Sequence, residues 1–304
     1  MKKVSFFILL LTIKFGLLYS QVAISKDNSQ ADNSAILEVK STTKGFLIPR
    51  LTTAERNAIV SPAVGLMIYN TEAKTWNVYN GTSWGLMSPL VCGQPFTDGR
   101  NGKAYNTVKI GTQCWMADNL NIGTRINGVN NPVNDGVIQK YCYNDDELNC
   151  DVYGGLYQWG EMMNYAASSS ANPSGRQGIC PPDWHLPSDA EWCQMETTLD
   201  ATVNCSASGW RGTNAGGQMK EGGLSHWTAP NTGGSNASGF TALPGGYRLN
   251  GGGFYDQPNT GYFWSATQSD PSNMWSQALS YFKATVNRSA NPMTDGFSVR
   301  CVKD

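Results

Sequence analysis

The sequence predicts an exported, disulfide-stapled chain of mixed short strands and short helices in two parts, a β-rich segment over 21–90 and a cysteine-bearing domain over 91–304. Three observations carry this expectation. The chain opens MKKVSFFILLLTIKFGLLYSQ, a charged start and a short apolar run of the kind that directs secretion. Its eight cysteines, Cys92, Cys114, Cys142, Cys150, Cys180, Cys193, Cys205 and Cys301, are even in number and all follow residue 91, as in a disulfide framework built for an oxidising compartment. Turn signals and alternating apolar runs are interspersed with two S/T-x-x-E capping boxes, so strands and helices are both expected.

The leader sets the compartment. Lys2 and Lys3 precede an apolar run from Val4 to Ile13, Lys14 interrupts it, and small residues near Ser20 place the expected cleavage there. The run is short of the roughly 20 apolar residues that span a bilayer, and no later segment supplies them. No cysteine lies near the cleavage point to take a lipid anchor, so a secreted, cell-surface or periplasmic protein is expected rather than a tethered one. About 280 residues then remain, one large domain or two ordinary ones. Charged residues are 15%, beside 33 glycines and 14 prolines, the composition of a loop-rich protein. A net charge of −1 without a basic run excludes a nucleic-acid or polybasic membrane role.

Residues 21–90 hold no cysteine. VAISKDNSQADNSAILEVKSTTKGFLIPR alternates apolar and polar residues between Asp, Asn, Ser and Gly, as short strands and turns do. Thr52 with Glu55 opens a short helix that ends by Pro62, strands are expected at Leu66–Tyr69 and Trp76–Tyr79, and Asn80-Gly81 supplies a turn. So little apolar material makes a poor core, so this part is expected to pack on something else or to form a homo-oligomer. SAILEVKSTTKGFLIPRLTTAERNAI, PAVGLMIYNT and YNGTSW resemble the N-terminal region of exported proteins of Bacteroidetes-type bacteria and tail-fibre-like heads. That resemblance implies a surface or fibre-associated module.

From Cys92 the texture changes. DG and NG signals over 98–102 precede a strand expected over Tyr105–Ile110 and a turn into Trp115. A calcium loop at 98–102 is disfavoured because Arg100 stands where an oxygen ligand belongs.

GICPPDWHLPSDAEWCQM, residues 178–195, looks most like chemistry, with His185 between Cys180 and Cys193. Its residues also have structural reasons to be there. Ser188 with Glu191 forms a capping box, Asp189 suits the helix dipole, and a helix should begin at Asp189. Trp192, Met195 and Leu199 then form one apolar stripe. Pro181 and Pro182 are expected to hold Cys180 extended and away from His185, which reads as a partly buried histidine bonding a backbone carbonyl. Cys193 can reach Cys205 across a short loop. His226 is the only other histidine, and zinc would want CxxC pairs or histidine partners at ligand spacing, so no metal and no cofactor are expected.

The runs TDGRNGKAYNTVKIGTQCWMADNLN, YCYNDDELNCDVYGGLYQWGEMM, GICPPDWHLPSDAEWCQM, GYFWSATQSD and GFSVRCVKD resemble the Fibrobacter succinogenes major paralogous domain over nearly all of 92–304. The resemblance implies an α+β fold akin to C-type-lectin-like and formylglycine-generating-enzyme folds: a disulfide-stapled domain with two helices, small twisted antiparallel sheets and long loops on one side. It also suggests a pairing. Cys142 with Cys150 and Cys193 with Cys205 close local loops, Cys180 with Cys301 ties the helix entry to the terminal strand as in lectin-like folds, and Cys92 with Cys114 spans the first hairpin.

Other features are weaker. Asp145, Asp146, Glu147 and Asp151 form an acidic cluster that reads as a solvated turn, since calcium wants six or more converging oxygens. Gln257-Pro258-Asn259 echoes the short tripeptides by which some C-type lectins hold calcium and sugar hydroxyls, but MWSQ at 274–277 stands where a carboxylate-bearing WND segment would be. Gln257 and Asn259 are therefore kept as a candidate ligand surface. Trp115, Trp159, Trp192 and Trp264 read as core, and Trp84, Trp210 and Trp227 as exposed. The GxSxG, HExxH, P-loop and Rossmann signatures are missing and no catalytic residue is nominated. The expected function is a secreted, non-catalytic surface, adhesion or interaction module whose partner is a glycan or a protein. A carbohydrate-binding lectin-like domain is the alternative, followed by an enzyme on a formylglycine-generating-enzyme-like scaffold.

Overall fold

The structure, a computed structural model, describes residues 21–27, 29–86 and 91–304, so the expected signal peptide lies outside the described residues. The chain divides into two compact units between Ser88 and Pro89, close to the break expected from the cysteine distribution.

In the first unit the alternating runs become β1 (Val22–Ile24) and β2 (Leu37–Val39), paired in parallel with Val22 opposite Leu37 and Ile24 opposite Val39. β3 (Arg50–Leu51), α1 (Thr53–Asn57), β4 (Met67–Asn70), β5 (Thr75–Tyr79) and β6 (Trp84–Leu86) follow, the four strands forming one sheet in chain order. α1 carries the chain across so that β3 and β4 run parallel, whereas tight turns make the later pairs antiparallel. The helix starts where the sequence places it: Thr52 Oγ1 accepts the Glu55 N–H at 3.2 Å and the Glu55 carboxylate accepts the Thr52 N–H at 2.8 Å. Asn70 Oδ1 accepts the N–H groups of Glu72 and Ala73 and closes the β4–β5 turn. Among the described residues of this unit, the only buried apolar side chains are Ile48 and Ile68.

The second unit opens with two hairpins, β7 (Phe96–Thr97) with β8 (Ala104–Tyr105) and β9 (Thr107–Ile110) with β10 (Gln113–Met116). The strand expected over Tyr105–Ile110 is thus two. Asn106 gives its backbone N–H to Asp118 Oδ2 at 2.6 Å instead of a ladder partner, and the chain changes sheet there. β11 (Thr124–Arg125) and β12 (Gln139–Lys140) pair in parallel. α2 (Glu147–Tyr153), β13 (Tyr157–Gln158), α3 (Trp159–Met162), β14 (Trp184–His185), α4 (Asp189–Leu199), β15 (Gly209–Arg211) and α5 (Ala215–Met219) follow in order. A hairpin of β16 (Tyr247–Arg248) and β17 (Phe254–Tyr255) precedes β18 (Thr260–Asp270), β19 (Asn273–Ser280), β20 (Val286–Pro292), β21 (Gly296–Phe297) and β22 (Val302–Lys303).

These strands make three antiparallel four-stranded sheets, ordered β14-β22-β10-β9, β13-β21-β16-β17 and β15-β20-β19-β18. The result is an α+β arrangement of small sheets. Among the described residues it departs from the expected inventory in having four α-helices rather than two and one parallel strand pair, because α3 and α5 are short turns that bear no strong sequence signal.

α4 lays its expected stripe against the core. Trp192 and Met195 are buried, and the Trp192 ring lies 4.8 Å from Trp115 and 5.8 Å from both Phe240 and Phe263. Four core tryptophans also satisfy their indole N–H groups, which burial demands: Trp115 donates to Gln113 Oε1, Trp192 to Trp264 O, Trp264 to Tyr157 O and Trp159 to Ser265 O. Trp227 corrects an expectation. It is buried at 2% exposure and donates to Ala242 O, because the ring belongs to the core cluster of Trp192 and Phe240 and lies 5.3 Å under the Lys220 ammonium; Trp210 is exposed and Trp84 half-buried.

Four disulfides staple the unit: Cys92–Cys114, Cys142–Cys150, Cys180–Cys301 and Cys193–Cys205, the pairs suggested by the resemblance. The third closes 121 residues and fixes the loop before β14 to the segment that enters β22.

Candidate functional site

The stretch 178–195 begins with a glycine for a steric reason. Gly178 has φ +51°, and a Cβ there would collide with the Met162 carbonyl and the Leu186 side chain. Two residues on, Cys180 is bridged to Cys301, and the chain then turns rather than extending: Trp184 N–H reaches back to Pro181 O at 3.1 Å, with Asp183 at φ +65°.

This turn delivers His185 onto β14, opposite Val302. The ring does not bond a backbone carbonyl, as expected from sequence; it bridges two carboxylates. Nε2 lies 2.6 Å from Glu191 Oε1 and Nδ1 lies 2.6 Å from Asp304 Oδ1. Burial works against the imidazolium, but the Glu191 and Asp304 carboxylates outweigh it and hold the histidine above its ordinary value. Glu191 is itself committed: its Oε2 accepts the N–H groups of Ser188 and Ser174 while Ser188 Oγ accepts the Glu191 N–H. The capping box of α4 and the histidine are one buried network that ties the helix start to residue 304.

Other polar groups are spent in the same way. Arg211 and Glu196, both essentially inaccessible, form a two-bond pair at 2.8 and 2.9 Å. The Lys220 ammonium sits among the carbonyls of Thr232, Ser280 and Lys283, and burial pushes it down to about 8. Arg300 gives its N–H groups to Asn119 Oδ1 and to the carbonyls of Met116, Phe240 and Thr241, stacked 4.4 Å over Phe240. These cations organise loops.

The two cation loops considered from sequence are also internally occupied. Arg100 pairs with Asp98 through Nε and Nη2 and carries the turn to the carbonyls of Ile179 and Cys180. In the acidic cluster, Asp145 accepts the Gly128 N–H, Asp146 caps α2, and Glu147 pairs with Lys140 at 2.9 Å and Arg125 at 3.4 Å. Glu147 also approaches Cys142 and Cys150, whose sulfurs are bonded to each other. Asp151 lies apart, in a cleft of about 220 Å³ that Lys103, Asp118, Tyr153 and Arg300 also line.

Gln257 and Asn259 fall on the loop between β17 and β18, half-buried. Gln257 Nε2 lies 3.5 Å from Asn149 Oδ1, and Asn259 uses its backbone, donating to Asp256 O and accepting from Tyr281 N–H. Beside them stands a group the sequence reading passed over. Tyr255, 47% exposed, leans on Tyr247 (5.7 Å); Tyr247 meets Tyr262 (5.0 Å), Tyr262 stacks on Phe297 (5.1 Å), and Phe297 stacks on buried Trp264 (4.2 Å). Tyr262 donates its hydroxyl to Asp256 Oδ2 at 2.7 Å, and burial first, then Asp256, raises that hydroxyl's proton affinity. A rigid aromatic ladder thus rises from the core to an exposed tyrosine next to a carboxylate and two amides. The signal available was the aromatic spacing in GGYRLNGGGFYDQPNTGYFW; what sequence lacked was the β16–β17 pairing that sets Tyr247 opposite Tyr255.

Comparison with known proteins also finds two regions, the first of which runs past the break at Ser88 into the second unit. Residues 24–102 match a phage tail like trimerisation region, and residues 108–303 match the Fibrobacter succinogenes major domain. No curated protein and no solved structure matches the chain. With well over half of its length covered and its longest motifs inside the matched span, the chain belongs to the Fibrobacter succinogenes major domain family.

Proposed function

We propose that the chain is an exported, non-catalytic surface or adhesion module, displayed as a homo-oligomer by its N-terminal unit and contacting its partner through the loops of the second unit. The observation that carries this reading is where the reactive groups have gone. All eight cysteines are bridged and both ring nitrogens of His185 are engaged by carboxylates, so the residues that suggested chemistry hold the scaffold together. The disulfides fit an oxidising compartment, and among the described residues no helix is long and apolar enough to cross a membrane. The match of 24–102 to a trimerisation region supports oligomeric display. The tie between Cys180 and Cys301 supports kinship with lectin-like folds, as a reading of architecture and not of activity. Expression with the leader, followed by fractionation and a thiol count, tests the reading: an exported chain with no reactive thiol supports it, and a cytoplasmic chain with free thiols overturns it.

A second reading, carbohydrate binding, is favoured by the Tyr255–Tyr247–Tyr262 ladder. A tyrosine held rigidly with an exposed face, beside Asp256, Gln257 and Asn259, offers stacking area together with hydroxyl-bonding groups. Binding on a glycan array that survives a chelator and disappears in Tyr255→Ala would establish it, and an array blank under both conditions would remove it.

A further inference from the structure

The β1–β2 ribbon is built inside out. Strand side chains alternate between faces, and in the observed parallel register Val22, Ile24, Leu37 and Val39 share one face while Ala23 and Glu38 share the other. The apolar face is the open one, with exposures of 53, 59, 52 and 42%, whereas Ala23 and Glu38 are the more covered pair. Glu38 is occupied on its own side, accepting the Asp32 N–H at 2.7 Å and pairing with Lys40 at 3.3 Å. Two strands of three residues do not stand alone in water, and a contiguous aliphatic face marks a contact. The rest of the unit does not supply that contact, since Ile48 and Ile68 are its only buried apolar side chains among the described residues.

We infer that this face is the self-association seam of the chain: the ribbons of three copies meet through Val22, Ile24, Leu37 and Val39, and the first unit acquires its core only on assembly. The inference rests on the oligomeric part of the function proposed above and names the surface that executes it. The occupant is a second copy because identical faces can meet only where they do not repel, and this face carries no charge. The number is three because the matching region is one of trimerisation. A closed ring of three uses a heterologous contact, each ribbon presenting one strand to either neighbour.

The test uses the full chain. Sedimentation or native mass spectrometry at micromolar concentration should give three times the chain mass for the unaltered protein and the single chain mass for Ile24→Asp with Val39→Asp. Amide hydrogen exchange within the second unit, read by peptide, should be the same in both. Val60→Asp, at a position 88% exposed and off the ribbon, should remain trimeric. As a gain of signal, Ile24→Cys should yield covalently linked pairs of chains under oxidising conditions and Val60→Cys should not. A trimer that persists in the double Asp variant overturns the seam while leaving oligomeric display standing. A monomeric unaltered chain overturns both.

Discussion

The two units solve the same problem, holding short strands together, with opposite means. The second unit carries two packed clusters in which Trp115, Trp192, Trp227 and Trp264 are buried, and closes them with four disulfides and buried ion pairs. The first unit has no cysteine and two buried apolar side chains among its described residues, with its aliphatic ribbon face turned outward. Stability in the second therefore has its sources within one chain, whereas the proposed assembly would supply them for the first. Shared local devices make the contrast sharper, since both units use the same capping box and similar tight hairpins.

The largest effect that would break this contrast lies in the long-range staple. Replacing Cys180 and Cys301 by serine frees a loop of 121 residues and should cost about 4–5 kcal/mol in the chain-entropy account, read as a lower denaturation midpoint of the second unit. The oligomer should be untouched. Next comes the Glu196–Arg211 pair. Arg211→Met strands a buried carboxylate and should cost about 3–5 kcal/mol, and adding Glu196→Leu should restore much of it. If the single variant were neutral in chemical denaturation, the pair would not be the buried anchor described.

Smaller is the titration of His185. Its folded proton affinity is raised, so the bridge to Glu191 and Asp304 contributes fully below the unfolded value near 6.5 and is lost as pH rises through the folded value above it. Melting of the second unit followed from pH 6 to 9 should show declining stability over that window, and His185→Asn should flatten the slope. Smallest is the comparison of the two caps. Ser188→Ala removes a buried bond from a network that also holds His185 and should cost about 1–2 kcal/mol, while Thr52→Ala, at an exposed helix of one turn, should cost about 0.5 kcal/mol. Equal losses would deny that the second unit builds its network on its cap.

Local features were legible in the sequence itself, whereas long-range ones were not, apart from the Cys180–Cys301 bridge that the family resemblance suggested. The start of α4 at Asp189, its Trp192–Met195 stripe, α1 after Thr52 and the β4–β5 hairpin follow from caps, periodicity and turns, which are written within a few residues. The partners of His185 were missed because Asp304 lies 119 residues away and is brought close only by β22 pairing with β14. Trp227 was misplaced because glycine-rich neighbours look open in sequence, whereas the ring is buried in a core cluster most of whose other members lie far from it in the chain. The aromatic ladder needed the β16–β17 register to be visible, and the apolar face of β1 and β2 was expected only as alternation, which says that two faces differ but not which one is covered.

The central claim, that one unit is complete in the single chain and the other is completed by assembly, is tested most directly by amide hydrogen exchange on the full chain as a function of concentration. The account predicts that the amides of β1, β2, β4 and β5 are protected only at concentrations where the assembled mass is present, while those of α4, β10, β19 and β22 are protected at every concentration. Protection of the first unit that does not change between monomer and assembly would contradict it.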